Sequence, residues 1–156
     1  SVPGTNARIM IVIAISALIV AASILIHYET LRMATRRTAG SAIRPRVRHW
    51  LMLVGAIVSH LVHIGLFGLG FVLIEFEFER GMLNGPHSGT WEDAFYFAIT
   101  SYTTLGIGDL YPTGQARLLS GIAALTGLIM VTWTASLTYL HMERYWTVRN
   151  GSDIAD

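Results

Sequence analysis

The chain has 156 residues, 53% of them hydrophobic and 13% charged, with a mean hydropathy of +0.51, a balance that departs from ordinary soluble domains and points to lipid. It has no cysteine, which excludes a disulfide framework and a thiolate metal site. Its net charge of +1 is too small to single out a charged partner, and no nucleic-acid partner is expected.

In chain order, residues 1–8 precede the first of three apolar runs, which cover 9–27, 50–74 and 118–140. Each is long enough to cross a hydrocarbon core roughly 30 Å thick, which takes a helix of about 20 residues. The first run is long for a signal peptide and lacks a small-residue cleavage site, so it reads as a retained membrane helix. Residues 28–49 hold Arg32, Arg36, Arg37, Arg44, Arg46 and Arg48. They cluster about Pro45 in what reads as a polar connector and do not repeat along one apolar helix face, so they set orientation and are not a voltage sensor. The link between the second and third runs carries Glu75, Glu77, Glu79, Glu92, Asp93 and Asp109 against Arg80 and Arg117. The positive-inside bias therefore predicts an outward amino terminus, a cytoplasmic arginine loop and a cytoplasmic tail over 142–156, most simply in the cytoplasmic membrane.

Within the second run, His60 and His63 share one helix face. An ionisable side chain inside a membrane is a functional hypothesis by default, here proton sensing. The competing explanation is a pair of neutral imidazoles bonding between helices, and two histidines without a third ligand make a poor metal site. Glu75, Glu77, Glu79 and His87, near the outward end, form a rim that either concentrates cations or is simply solvated.

Before the third run comes "TWEDAFYFAIT", apolar but too short to span a bilayer as a helix. Thr90 is a good N-cap, and Glu92 and Asp93 fall in the first turn, where the helix dipole favours carboxylates. The strip "TTLGIGD" follows directly. Non-helical backbone cannot face lipid, so this strip must line water or be buried in protein, which makes the pair a re-entrant segment.

The stretch "DAFYFAITSYTTLGIGDLYP" resembles the pore helix and signature filter of potassium channels, whose usual core reads T-T-V-G-Y-G-D. With its flanking helices the resemblance covers 50–141. It implies an all-α integral membrane protein with three transmembrane helices plus a re-entrant pore helix and selectivity filter, assembled as a four-fold homotetramer. The expected parts are a first helix over 9–27, an outer helix over 50–76, a pore helix over 90–102, a filter over 103–109 and an inner helix over 116–141. The carbonyls of Thr104, Leu105, Gly106 and Ile107, with the Thr104 hydroxyl, would hold K+, and Gly106 and Gly108 would permit the unusual backbone angles. No cofactor is expected beyond the permeant ion.

Thr103, Asp109, Tyr96, Phe97 and Thr100 would support the filter. The family commonly has valine or isoleucine at Leu105, an aromatic residue at Ile107, and tandem tryptophans where this chain has Tyr96 and Phe97. Phe97 and Ile107 lose a donor and an acceptor together, so nothing is left unsatisfied; Tyr96 still has a hydroxyl to offer Asp109. Thr100 stands where some members carry a carboxylate, so no buried acid pair is expected. In the inner helix, Gly127 occupies the position of the family's hinge glycine, or simply permits close helix packing. Leu128, Val131, Ala135 and Tyr139 form a stripe expected to line the pore, with Tyr139 narrowing its inner end or anchoring at the interface.

The function implied is passive, selective K+ permeation without a voltage sensor. The alternatives are a poorly selective Na+/K+ channel, a non-conducting scaffold in the bilayer, and, weakest, an intramembrane metal enzyme, for which no ligand spacing such as H-E-x-x-H is present.

Overall fold

Dense apolar sequence in lipid leaves helix as the backbone that satisfies its own N–H and C=O groups. The computed structural model describes residues 5–38, 45–77, 83–86 and 89–152. Its elements are α1 (Thr5–Thr38), α2 (Pro45–Glu77), β1 (Leu83–Asn84), α3 (Trp91–Tyr102), β2 (Tyr111–Pro112) and α4 (Ala116–Ser152). Three helices are long and apolar enough to cross a membrane, over Asn6–Arg36, Val47–Glu75 and Ala116–Glu143.

The helices run well past the apolar segments. Arg32, Arg36 and Arg37 belong to α1, and Arg46 and Arg48 to α2, so most of the expected connector over 28–49 is helical; Arg44 lies outside the described residues. The physical reason is the lack of a breaker between Leu31 and Thr38, and a proline that sits at the first residue of α2, where its missing N–H costs nothing. Likewise α4 continues to Ser152, through most of the expected tail. Glu79 and His87 lie outside the described residues.

The buried residues of α1 are Val12, Ser16, Ile19, Ser23, His27 and Leu31, at steps of three and four that define one face. That face lies along α2 and reaches α4. A side chain at Gly70 of α2 would meet Ile19 Cδ1 at 2.7 Å, so the missing Cβ sets how near the two helices pass. The core then runs through Phe67, Phe71, Ile74, Phe97, Tyr102, Leu119 and Met130. Phe71 and Phe97 meet edge to face at 5.0 Å, a contact worth about 1 kcal/mol beyond its area.

α3 starts with a complete capping box. The Thr90 hydroxyl accepts from the Asp93 N–H at 3.2 Å, and the Thr90 N–H donates to Asp93 Oδ2 at 3.1 Å. Thr90→Ala is expected to cost about 1 kcal/mol, read as a lowered thermal unfolding midpoint of the protein. An unchanged midpoint would mean that α3 is held by its packing alone. β1 pairs antiparallel with β2, Leu83 opposite Pro112 and Asn84 opposite Tyr111. This short ladder, unanticipated by the sequence, ties the segment after α2 to the exit of the strip over 103–109.

Candidate functional site

The strip begins where α3 ends. Thr103 caps the helix, with its N–H bonded to Ile99 O, and Thr104 turns left-handed at φ 58°, a common way to close a helix. Positive φ then recurs at Gly106 (57°) and Gly108 (87°), and not at Leu105 or Ile107. Such alternation turns successive carbonyls toward one side, whereas a strand points them alternately to opposite sides. Opposite them, the amides face α3. The Thr104 N–H donates to Ser101 O at 3.0 Å, and those of Leu105 and Gly106 donate to Thr100 O at 2.9 and 3.2 Å. Among the described residues, no hydrogen bond ends on the carbonyls of Thr104, Leu105, Gly106 or Ile107. All of 103–109 is exposed in the single chain, so a row of oxygens is left to a ligand or to solvent.

Residues around the strip hold it from behind. The Tyr96 hydroxyl donates to Asp109 Oδ2 at 2.8 Å, and Asp109 Oδ1 accepts the Leu110 N–H at 2.9 Å. That bond to Asp109 raises the Tyr96 phenol above its ordinary value. The contact is therefore present below the usual phenol range of about pH 10 and is lost as pH rises through the raised value. Phe97 is buried against Phe71, and Thr100 sends its hydroxyl to Phe97 O at 3.0 Å while its own carbonyl receives the strip. The Thr103 hydroxyl turns back to Ile99 O at 2.7 Å. Leu105 and Ile107 point outward, 63% and 59% exposed.

α4 braces the base of the strip. Ser101 and Ser120 bond at 3.2 Å. Gly127 lies against the Tyr102 carbonyl, where a Cβ would overlap the oxygen and sit 2.8 Å from the carbon. It is thus buried on the packed face of α4, whereas Leu128, Val131, Ala135 and Tyr139 share an exposed one. His60 and His63 come together with a third imidazole, His27 of α1, and with Ser59, Tyr102 and Thr134. His27, Ser59, Tyr102 and Thr134 were missed from the sequence. The one available signal was the polar spacing Ser16, Ser23, His27 on an otherwise apolar helix. No grouping of histidine and acidic side chains suited to a metal occurs among the described residues.

A family model described as "Ion channel" matches residues 59–142, more than half of the chain. The chain is 29% identical over 94 residues to "Two-pore potassium channel 4" of Arabidopsis thaliana, covering 60% of this chain and 31% of that protein. It is also 29% identical over 97 residues to "Inward rectifier potassium channel Kirbac3.1" of Paramagnetospirillum magnetotacticum, covering 61% and 31%. The chain thus spans about a third of the length of these curated relatives. No solved structure matches it.

Proposed function

The chain belongs to the ion channel family, and from that premise we propose that it conducts K+ passively and selectively through the strip over 103–109. The observation that carries this reading is the row of unbonded carbonyls at Thr104, Leu105, Gly106 and Ile107 beside alternating positive φ. A dehydrated K+ needs several oxygens to replace its water shell, and a ring of backbone carbonyls supplies them. One chain contributes one side of such a ring. Four copies about a common axis complete it, so the working form is a homotetramer in the bilayer. The exposed strip and the exposed stripe of Leu128, Val131, Ala135 and Tyr139 are then the surfaces that face the axis or a neighbouring copy, with Tyr139 toward the cytoplasm. The amino terminus lies outside and the carboxyl end inside a cytoplasmic membrane, following the arginine distribution. Permeation is not gated by a voltage sensor.

A second reading, weak discrimination between K+ and Na+, draws on one feature. Among the described residues Ile107 receives no side-chain hydrogen bond such as Tyr96 gives Asp109, and its side chain is 59% exposed, so the middle of the filter lacks the side-chain brace that its outer end has. Flux from liposomes holding the purified protein separates the readings. Barium-sensitive K+ flux well above Na+ flux supports selective conduction; equal fluxes favour the second reading; no flux of either ion leaves a scaffold. Tyr96→Phe removes the bond to Asp109 at an exposed site and is expected to lower the K+/Na+ ratio by roughly threefold, matching the modest net worth of one hydrogen bond. An unchanged ratio in reversal-potential measurements would remove Tyr96 from the support of the filter.

A further inference from the structure

Six side chains from four helices form one closed ring of hydrogen bonds. His27 Nδ1 meets Ser59 Oγ at 3.1 Å, and Ser59 Oγ meets His63 Nε2 at 3.3 Å. His63 Nδ1 and His60 Nδ1 both reach the Tyr102 hydroxyl, at 2.9 and 3.0 Å. His60 Nε2 and His27 Nε2 both reach Thr134 Oγ1, at 3.1 and 3.2 Å. Every imidazole nitrogen is used, and every hydroxyl bridges two of them. The imidazoles form a triangle with ring centres 5.2, 5.5 and 5.9 Å apart, their planes tilted or edge to face.

Proton counting defines what this ring tolerates. Three neutral imidazoles bring one N–H each and three hydroxyls one O–H each, so every contact in the neutral ring has one proton. One added proton also fits. Thr134 can turn its hydroxyl to Met130 O, 3.1 Å away, and accept from both neighbouring imidazoles; the remaining bonds then run consistently with His60 doubly protonated. His60 and Thr134 are the half-buried members, whereas His27, His63, Ser59 and Tyr102 are buried, so the first charge sits at the wetter edge. A second proton finds no comparable outlet. It would place two imidazolium groups side by side, offset among the described residues by the Ser23 backbone carbonyl beside His63 and by no opposite charge: the titratable groups facing the ring are His27 from α1, His60 and His63 from α2 and Tyr102 from α3, while α4 supplies Thr134 and the uncharged Trp133. The ion pair of α1, Glu29 with Arg32 at 2.8 Å, lies on its exposed side. Ser23 Oγ, fully buried one turn from His27 and without a hydrogen bond, offers a hydroxyl to an imidazole that leaves the ring.

Tyr102 links the ring to the strip. It is the last residue of α3, its carbonyl rests on Gly127, and the two residues before it receive the amides of Thr104, Leu105 and Gly106. We infer that the ring is an acid-release latch: neutral or singly protonated it clamps α1, α2 and α4 to the base of the filter, and a second proton opens it and lowers K+ flux. The inference rests on the conduction reading above and assigns α1 a role in regulation.

The test measures K+ flux from liposomes between about pH 8 and pH 4, alongside 15N spectra of the imidazoles in the same membranes. Wild-type flux should hold through the first protonation and fall with the second, by about tenfold per pH unit once past that midpoint. The double variant His60→Gln with His63→Gln keeps amides that can bridge but only one imidazole, so its ring cannot take a second proton and its acid fall should vanish. Should that variant not assemble, coincidence of the wild-type flux midpoint with the second imidazole titration carries the test alone. K+ flux that is flat with pH while the ring imidazoles His27, His60 and His63 titrate would overturn the latch, as would an acid fall that survives in the double variant or that does not track the second titration of the ring. Wild-type protein passing no K+ at any pH would instead overturn conduction, and the latch with it.

Discussion

Gly127→Ala is expected to reduce K+ flux at least about a hundredfold and to lower the thermal stability of the assembled protein. Alanine is the better helix former by about 1 kcal/mol, so local propensity predicts the opposite sign. What decides is the neighbour. The added Cβ would overlap the Tyr102 carbonyl oxygen and stand 2.8 Å from its carbon and 3.1 Å from Cγ. Two of those atoms are backbone and cannot swing aside as a side-chain tip can. Overpacking of this kind costs about 1–3 kcal/mol in the chain. The displaced residue also immediately precedes the strip, so relief of the overlap moves Thr103 and the amides bonded to Ser101 and Thr100. Gly121→Ala is the control, since a Cβ there meets nothing within 4 Å; its flux should stay near wild type. The measurement separates packing from hinge: a hinge glycine replaced by alanine leaves a stable protein that opens differently. Wild-type stability in Gly127→Ala would sink the packing account.

The second large effect concerns handedness. Gly106 and Gly108 hold φ of 57° and 87°, and a Cβ at either would meet nothing of its own chain within 4 Å, so contacts within the chain are not the obstacle to a side chain there. Backbone conformation is. An L-residue in the left-handed region costs roughly 1–2 kcal/mol, and φ of 87° at Gly108 lies beyond the well that L-residues reach most easily. Thr104 already bears such a cost at φ 58°. Semisynthetic protein with D-alanine at 108 is expected to keep K+-selective flux, because positive φ is the natural basin of a D-residue. The L-alanine variant should lose about a hundredfold in flux or most of its K+/Na+ discrimination, with Gly106→Ala somewhat milder. Equal behaviour of the D- and L-alanine proteins would show that the alternating backbone is not what conducts.

The parts of this molecule legible in the sequence are those governed by neighbours in the chain. Apolar runs of about the length needed to cross a bilayer core mark α1, α2 and α4. Thr90, Glu92 and Asp93 mark the start of α3, because capping and the helix dipole act within one turn. The motif from Asp93 to Pro112 carried the resemblance to potassium channels, and that resemblance, by setting Tyr96 at a tryptophan position, implied a reach to Asp109, which the fold provides at 2.8 Å. Helix ends were less legible. Arginines were read as a connector because charge suggests water, whereas helix propensity and the absence of breakers carry α1 and α2 through them.

By itself, the sequence determined three membrane helices, a short capped helix between the last two, and a glycine strip whose backbone must avoid lipid, since each of these follows from composition and short-range spacing. Only the tertiary structure decided that Gly127 rests on the Tyr102 carbonyl and that two residues after α2 pair with the exit of the strip. It alone brought His27 to Thr134, 107 positions away, and so joined the first helix to the base of the strip over 103–109. Periodicity defines which face of a helix is buried, but the rotation and contact depth of packed helices depend on small residues and hydrogen-bond partners contributed by other elements. No local pattern in one helix encodes those.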